Sequence, residues 1–111
     1  MSLIKVSIYS TETGKSPFLE WLYDLDTKTR TIIRSRIDRV SLGNFGDSKP
    51  IKGVTGLREL RINHGPGYRV YFGLKGMTVI LILLGGDKSS QQRDITKAKE
   101  YWLRSRKLLD E

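Results

Sequence analysis

Six consecutive apolar residues, VILILL at Val79–Leu84, constrain the fold more than any other stretch. The run is far shorter than the ~20 residues a membrane-spanning helix needs. As a strand it is apolar on both faces, so it belongs in the middle of a sheet with cover on each side. A chain of 111 residues can build one core around such a strand, and a single domain spanning 1–111 is expected.

The segment before it, LRELRINHGPGYRVYFG at Leu57–Gly73, reads as two strands around a five-residue turn, Asn63–Gly67. The simplest antiparallel register pairs Ile62 with Tyr68 and Leu60 with Val70, and sets Arg61 across from Arg69 on the opposite face. A two-residue hairpin loop at Lys75 and Gly76 predicts pairing of Phe72 with Val79 and of Val70 with Leu81. Near the N-terminus, Leu3–Tyr9 alternates, with Ile4, Val6 and Ile8 on one side, and reads as a further strand. Ser16 followed by Pro17 is a helix start, and Phe18, Leu22 and Leu25 recur at helical spacing. Asp26 and Thr27 begin a second helix that runs to about Leu42 and ends at Gly43. Ile33, Ile37 and Val40 form its apolar stripe, while Arg30, Arg34, Arg36 and Arg39 spread over the remainder as a solvated face. Ser89 and Gln92 read as a capping box ahead of a last helix lined by Ile95, Ala98, Trp102 and Leu109. Phe18, Trp21 and Trp102 fit core packing.

The expected class is α+β, in the order βααβββα. A four-stranded, mainly antiparallel sheet carries a helical hairpin on one face, and a C-terminal helix follows. The other face of the sheet is expected to hold Glu59, Arg61, Arg69 and Tyr71 beside Ile80 and Ile82.

Charge narrows the function. Twenty Lys and Arg against 12 Asp and Glu give a net charge of +8, and the first 27 residues contribute none of the excess. A polyanion or an acidic protein is the natural partner. Without cysteine there are no disulfides or thiolate metal sites, and a cytoplasmic location fits. The single histidine, His64, sits in a turn with no acidic residue at ligand spacing, so no metal or cofactor is expected. GGDKSS lacks the first glycine of a phosphate-cradling loop. Two like charges across a strand pair cost a few tenths to about one kcal/mol, so Arg61 and Arg69 call for an anion. Either a ligand supplies it, or Glu59 and Asp87 do so as an internal ion network. Arginine, lysine and tyrosine around a phosphate suit RNA scission, in which the ribose 2′-hydroxyl attacks the neighbouring phosphate and the protein stabilises charge and moves protons.

In order, GNFGDSKPIKG, GLRELRINHGPGYRVYFG and LLGGDKSSQQRDITKAKEYW resemble the RelE/ParE toxin superfamily, within it the HigB-like addiction module killer proteins of type II toxin–antitoxin systems. The most specific pieces are ELRI, GPGYRVYF and the spacing of GGDKS, Q, DI and A. The resemblance implies a small RelE-like fold. It also implies a ribosome-dependent mRNA endonuclease, cytoplasmic and kept in check by an antitoxin with a helix-turn-helix domain, through which alone it meets DNA. It places Arg61 and Arg69 on the scissile phosphate and Lys88 near the position of proton transfer, where relatives carry Tyr or His. Lys49 and Lys52 fall where relatives use lysines on RNA or the ribosome, and Arg58 and Tyr71 are further RNA-binding candidates. A gyrase inhibitor of the ParE type, or an inactive phage-derived binding protein, would share the same fold. The C-terminal helix either packs on the sheet or helps receive the antitoxin.

Overall fold

The computed structural model describes residues 4–76 and 79–109. Its elements run β1 (Lys5–Ile8), α1 (Pro17–Tyr23), α2 (Thr27–Ser41), β2 (Ser48–Pro50), β3 (Leu57–Ile62), β4 (Tyr68–Lys75), β5 (Val79–Asp87), a 3-10 turn (Lys88–Ser90) and α3 (Gln91–Leu109). Leu3, assigned to the first strand by its alternation, lies outside the described residues.

Local chemistry sets the helix starts. The Ser16 side chain accepts from Leu19 N, with Pro17 in the first turn, and Asp26 does the same for Thr29 N at the head of α2. Gly43, at φ 89°, takes the left-handed conformation just past the end of α2. The expected Ser89–Gln92 box is replaced by one built two residues earlier: Asp87 accepts from Ser89 N, and Ser90 Oγ accepts from Asp87 N. The chain therefore tightens into a 3-10 turn before α3 begins.

The sheet has five strands in the order β1-β5-β4-β3-β2. β1 runs parallel to β5, and the other three pairs are antiparallel. The extra strand, β2, is only three residues long and shows no alternation in sequence, which is why a four-stranded sheet was expected. The β3–β4 register is the anticipated one, with Leu60↔Val70, Arg61↔Arg69 and Ile62↔Tyr68. The β4–β5 register is not. Lys75 pairs with Val79 and Phe72 with Ile82, and after a shift at Tyr71/Phe72, Val70 pairs with Gly85. The expected two-residue loop is thus too short, and Met77 and Thr78, which complete the connection, lie outside the described residues.

That register moves Ile80 and Ile82 to the opposite face from the one expected. They pack with Leu60, Ile62, Val70 and Phe72 beneath the α1–α2 hairpin, against Phe18, Leu22, Ile33 and Val40. The second face buries Leu57, Tyr71, Leu83 and Leu84 under Ala98 and Trp102 of α3. β5 is thus covered on both sides, and α3 packs on the sheet. Of the stripe expected on α3, Leu109 has its side chain outside the described residues.

Candidate active site

β3 and β4 bring Arg61 and Arg69 directly opposite each other on the face shared with α3. Both side chains reach the same buried acid. Glu59 has no solvent exposure; its Oε1 lies 3.4 Å from Arg61 Nε and its Oε2 3.8 Å from Arg69 Nε. Gln91, at the start of α3, donates to Glu59 Oε2 at 2.9 Å. A buried carboxylate is tolerable only when partnered in this way, and this one also relieves the repulsion between the two guanidinium groups.

The internal ion network therefore exists around Glu59, while Asp87 accepts from Ser89; the network engages the arginines through Nε and leaves an open cleft beside them. The cleft holds about 380 Å³ and is lined by Asp47, Arg61, Arg69, Lys88 and residues of the Asn63–Gly67 turn. Arg69 Nη1 donates to the Gly67 carbonyl at 2.7 Å, which fixes the guanidinium against the turn. Arg61 is the more open of the two, with its side chain 38% exposed against 13% for Arg69. Lys88 is exposed on the 3-10 turn at the end of β5. Three cations thus share one concave surface, facing a single exposed carboxylate, Asp47.

The remaining expected residues are not brought to the cleft. Lys49 sits on edge strand β2 opposite Glu59, hence on the arginine face, and is exposed there. Lys52 is exposed beyond that strand. Arg58 belongs to the other face: it lies over the Phe45 ring at 5.5 Å and donates to Ser48 Oγ at 3.1 Å, tying β2 to β3. Tyr71 is fully buried and cannot stack on a base. Burial pushes its phenol well above the ordinary tyrosine range, and the Glu59 charge adds to the shift. It is no proton donor near neutral pH.

Reading the sequence missed Asp47 and Gln91. Asp47 precedes a strand too short to recognise, and Gln91 meets Glu59 only because α3 folds back over the sheet. His64, in the turn, stays outside the cleft lining; its Nε2 lies 3.3 Å from Thr29 Oγ1. Among the described residues no three His, Asp or Glu side chains gather where they could hold a metal ion, and no helix is long and apolar enough to cross a membrane.

Sheet order and helix placement define an α+β fold of the RelE type. The chain superposes on a double arginine-to-alanine mutant of the Escherichia coli toxin RelE in the free state, with a TM-score of 0.64 over 88% of this chain and 95% of that one. Their sequences are 14% identical, so the likeness concerns the fold. Residues 20–102 match the family described as phage derived protein Gp49-like, and the chain belongs to that family. An uncharacterized protein of Haemophilus influenzae is 43% identical over 83 residues, covering 74% of this chain and 82% of the relative.

Proposed function

We propose that this protein is the toxin of a type II toxin–antitoxin module of the HigB-like group, a ribosome-dependent endonuclease that cuts mRNA in the cytoplasm. The observation that carries this reading is the Arg61–Arg69 pair, held side by side by strand register, backed by buried Glu59 and opening with Lys88 onto one cleft. Guanidinium groups so fixed suit a phosphate whose negative charge grows in the transition state, where one well-placed donor is worth about 2.7–4 kcal/mol. The reaction is attack of a ribose 2′-hydroxyl on the adjacent phosphate, a step that needs stabilised charge and proton transfer and requires no metal. A basic protein of this kind is neutralised by an antitoxin that lays acidic or apolar surface on the groove and carries a helix-turn-helix DNA-binding domain.

The test combines purified protein, ribosomes and a defined message. The expected result is cleavage within the ribosome-bound codon, leaving a 2′,3′-cyclic phosphate and a 5′-hydroxyl. An unchanged message would overturn the reading, as would cutting whose chemical step needs magnesium beyond the ribosome's own requirement.

A further inference from the structure

We propose that Asp47 is the general base of this cleft and Lys88 its general acid, standing at opposite ends of the arginine pair; the inference rests on the endonuclease reading above. The placement follows from the ladder. Asp47 immediately precedes β2, and its carbonyl accepts from Arg61 N at 2.8 Å, one pairing step beyond Ser48↔Leu60. Arg61 faces Arg69, Arg69 faces Gly86, and Lys88 follows Asp87 as the chain leaves β5. Across the sheet the row therefore reads Asp47, Arg61, Arg69 and Gly86, with Lys88 two residues past its end. Three strand spacings separate Asp47 from Gly86, roughly 14 Å of backbone at about 4.8 Å per strand. Asp47 and Lys88 both line the same cleft as the two arginines.

Other groups near the site are already engaged. Glu59 is buried and holds both arginines and Gln91. Asp87 accepts from the backbone and hydroxyl of Ser89, and buried Asp94 accepts from the Ser90 hydroxyl. Tyr71 is enclosed. Asp47 is exposed at the cleft, and among the described residues its carboxylate has no hydrogen-bond or ion-pair partner.

In-line displacement at phosphorus needs this order, because the entering and leaving oxygens stand on opposite sides of the phosphate. Asp47 removes the proton of the 2′-hydroxyl as its oxygen bonds to phosphorus. Arg61 and Arg69 hold the non-bridging oxygens. The P–O5′ bond breaks, and the departing 5′-oxygen takes a proton from the Lys88 ammonium. The products are a 2′,3′-cyclic phosphate and a 5′-hydroxyl, and solvent returns one proton to Lys88 and removes one from Asp47.

Single-turnover cutting of two ribosome-bound messages tests the assignment, one normal and one with sulfur replacing the bridging 5′-oxygen at the scissile position. Sulfur leaves as a thiolate and needs no proton. Lys88→Ala is expected to lose about 100-fold or more on the normal message and to recover on the sulfur one. Asp47→Asn is expected to lose about as much on both, with unchanged melting temperature and unchanged affinity for a ribosome carrying a 2′-deoxy message. Normal-message cutting by Asp47→Asn close to the wild-type rate, or rescue of this variant by sulfur, overturns the base assignment; a Lys88→Ala defect that sulfur leaves in place overturns the acid. If the wild-type protein cuts neither message, the endonuclease reading itself has failed.

Discussion

Glu59 sets the character of the cleft at the scale of single residues. Its carboxylate is enclosed, so removing it leaves two neighbouring guanidinium groups uncompensated and Gln91 without its acceptor. Breaking a buried charge pair by deleting one partner typically costs about 3–5 kcal/mol, and Glu59→Ala should lower the denaturation midpoint accordingly. Arg61→Ala should behave differently, because its side chain is more than a third exposed and Glu59 keeps Arg69 and Gln91: message cutting falls steeply while the melting curve moves by only a few degrees at most. Tyr71 gives a sharper contrast. Its hydroxyl is buried without a well-formed hydrogen bond among the described residues, though close enough to Glu59 to feel its charge, so Tyr71→Phe removes little from the fold. Unchanged or slightly raised stability with full activity is expected, and a large activity loss would restore the phenol to the chemistry. Arg61 and Arg69 were readable as a pair because a five-residue turn leaves little freedom of register. The roles of Tyr71 and Arg58 were not, since charge and aromaticity do not reveal which side of a strand is covered.

The elements are joined by close approaches that sequence records only as glycine. A β-carbon at Gly85 would collide with the Trp21 ring, and one at Gly73 with the Trp102 ring. The tryptophans approach the strand backbone at these glycines, one on either face of the sheet. Gly85→Ala should therefore destabilise by about 1–3 kcal/mol through overpacking, measured by urea unfolding. The caps add a pH dependence. Hydrogen bonds from the Thr29 side chain and backbone hold Asp26 below its ordinary value of 3.8, and those from Ser89 do the same for Asp87. A carboxyl with a depressed folded-state pKa stabilises fully above its unfolded value, and that contribution is lost as pH falls through the folded one. Unfolding midpoints should thus drop on acidification below about pH 4, and Asp26→Asn should flatten the drop. The starts of α1 and α2 were legible because capping is local; that of α3 was not, because the cap sits at Asp87 where the chain leaves β5. The β4–β5 register was not legible either, because the connection after Lys75 is longer than the two residues its turn sequence suggests, and the shift at Tyr71/Phe72 displaces the pairing again.

For the whole molecule, a net charge of +8 gathers part of its excess in one cleft whose cations are spaced by strands. Binding to a ribosome carrying message should weaken steeply between 50 and 200 mM salt, and Arg61→Ala should reduce the slope of log affinity against log salt by about one unit; a salt-independent affinity would count against an RNA partner. By itself the chain's sequence determined the α+β class, the helical hairpin, a covered interior strand and the facing arginines, because capping, alternation and a tight turn act between near neighbours. Only the tertiary structure decided that a fifth strand carries Asp47 to the arginines and that α3 locks Glu59 through Gln91. It alone also turned Arg58 away and sealed Tyr71. Those outcomes arise from contacts between segments distant in the chain, whose side chains hold no mark of one another until the sheet closes under its helices.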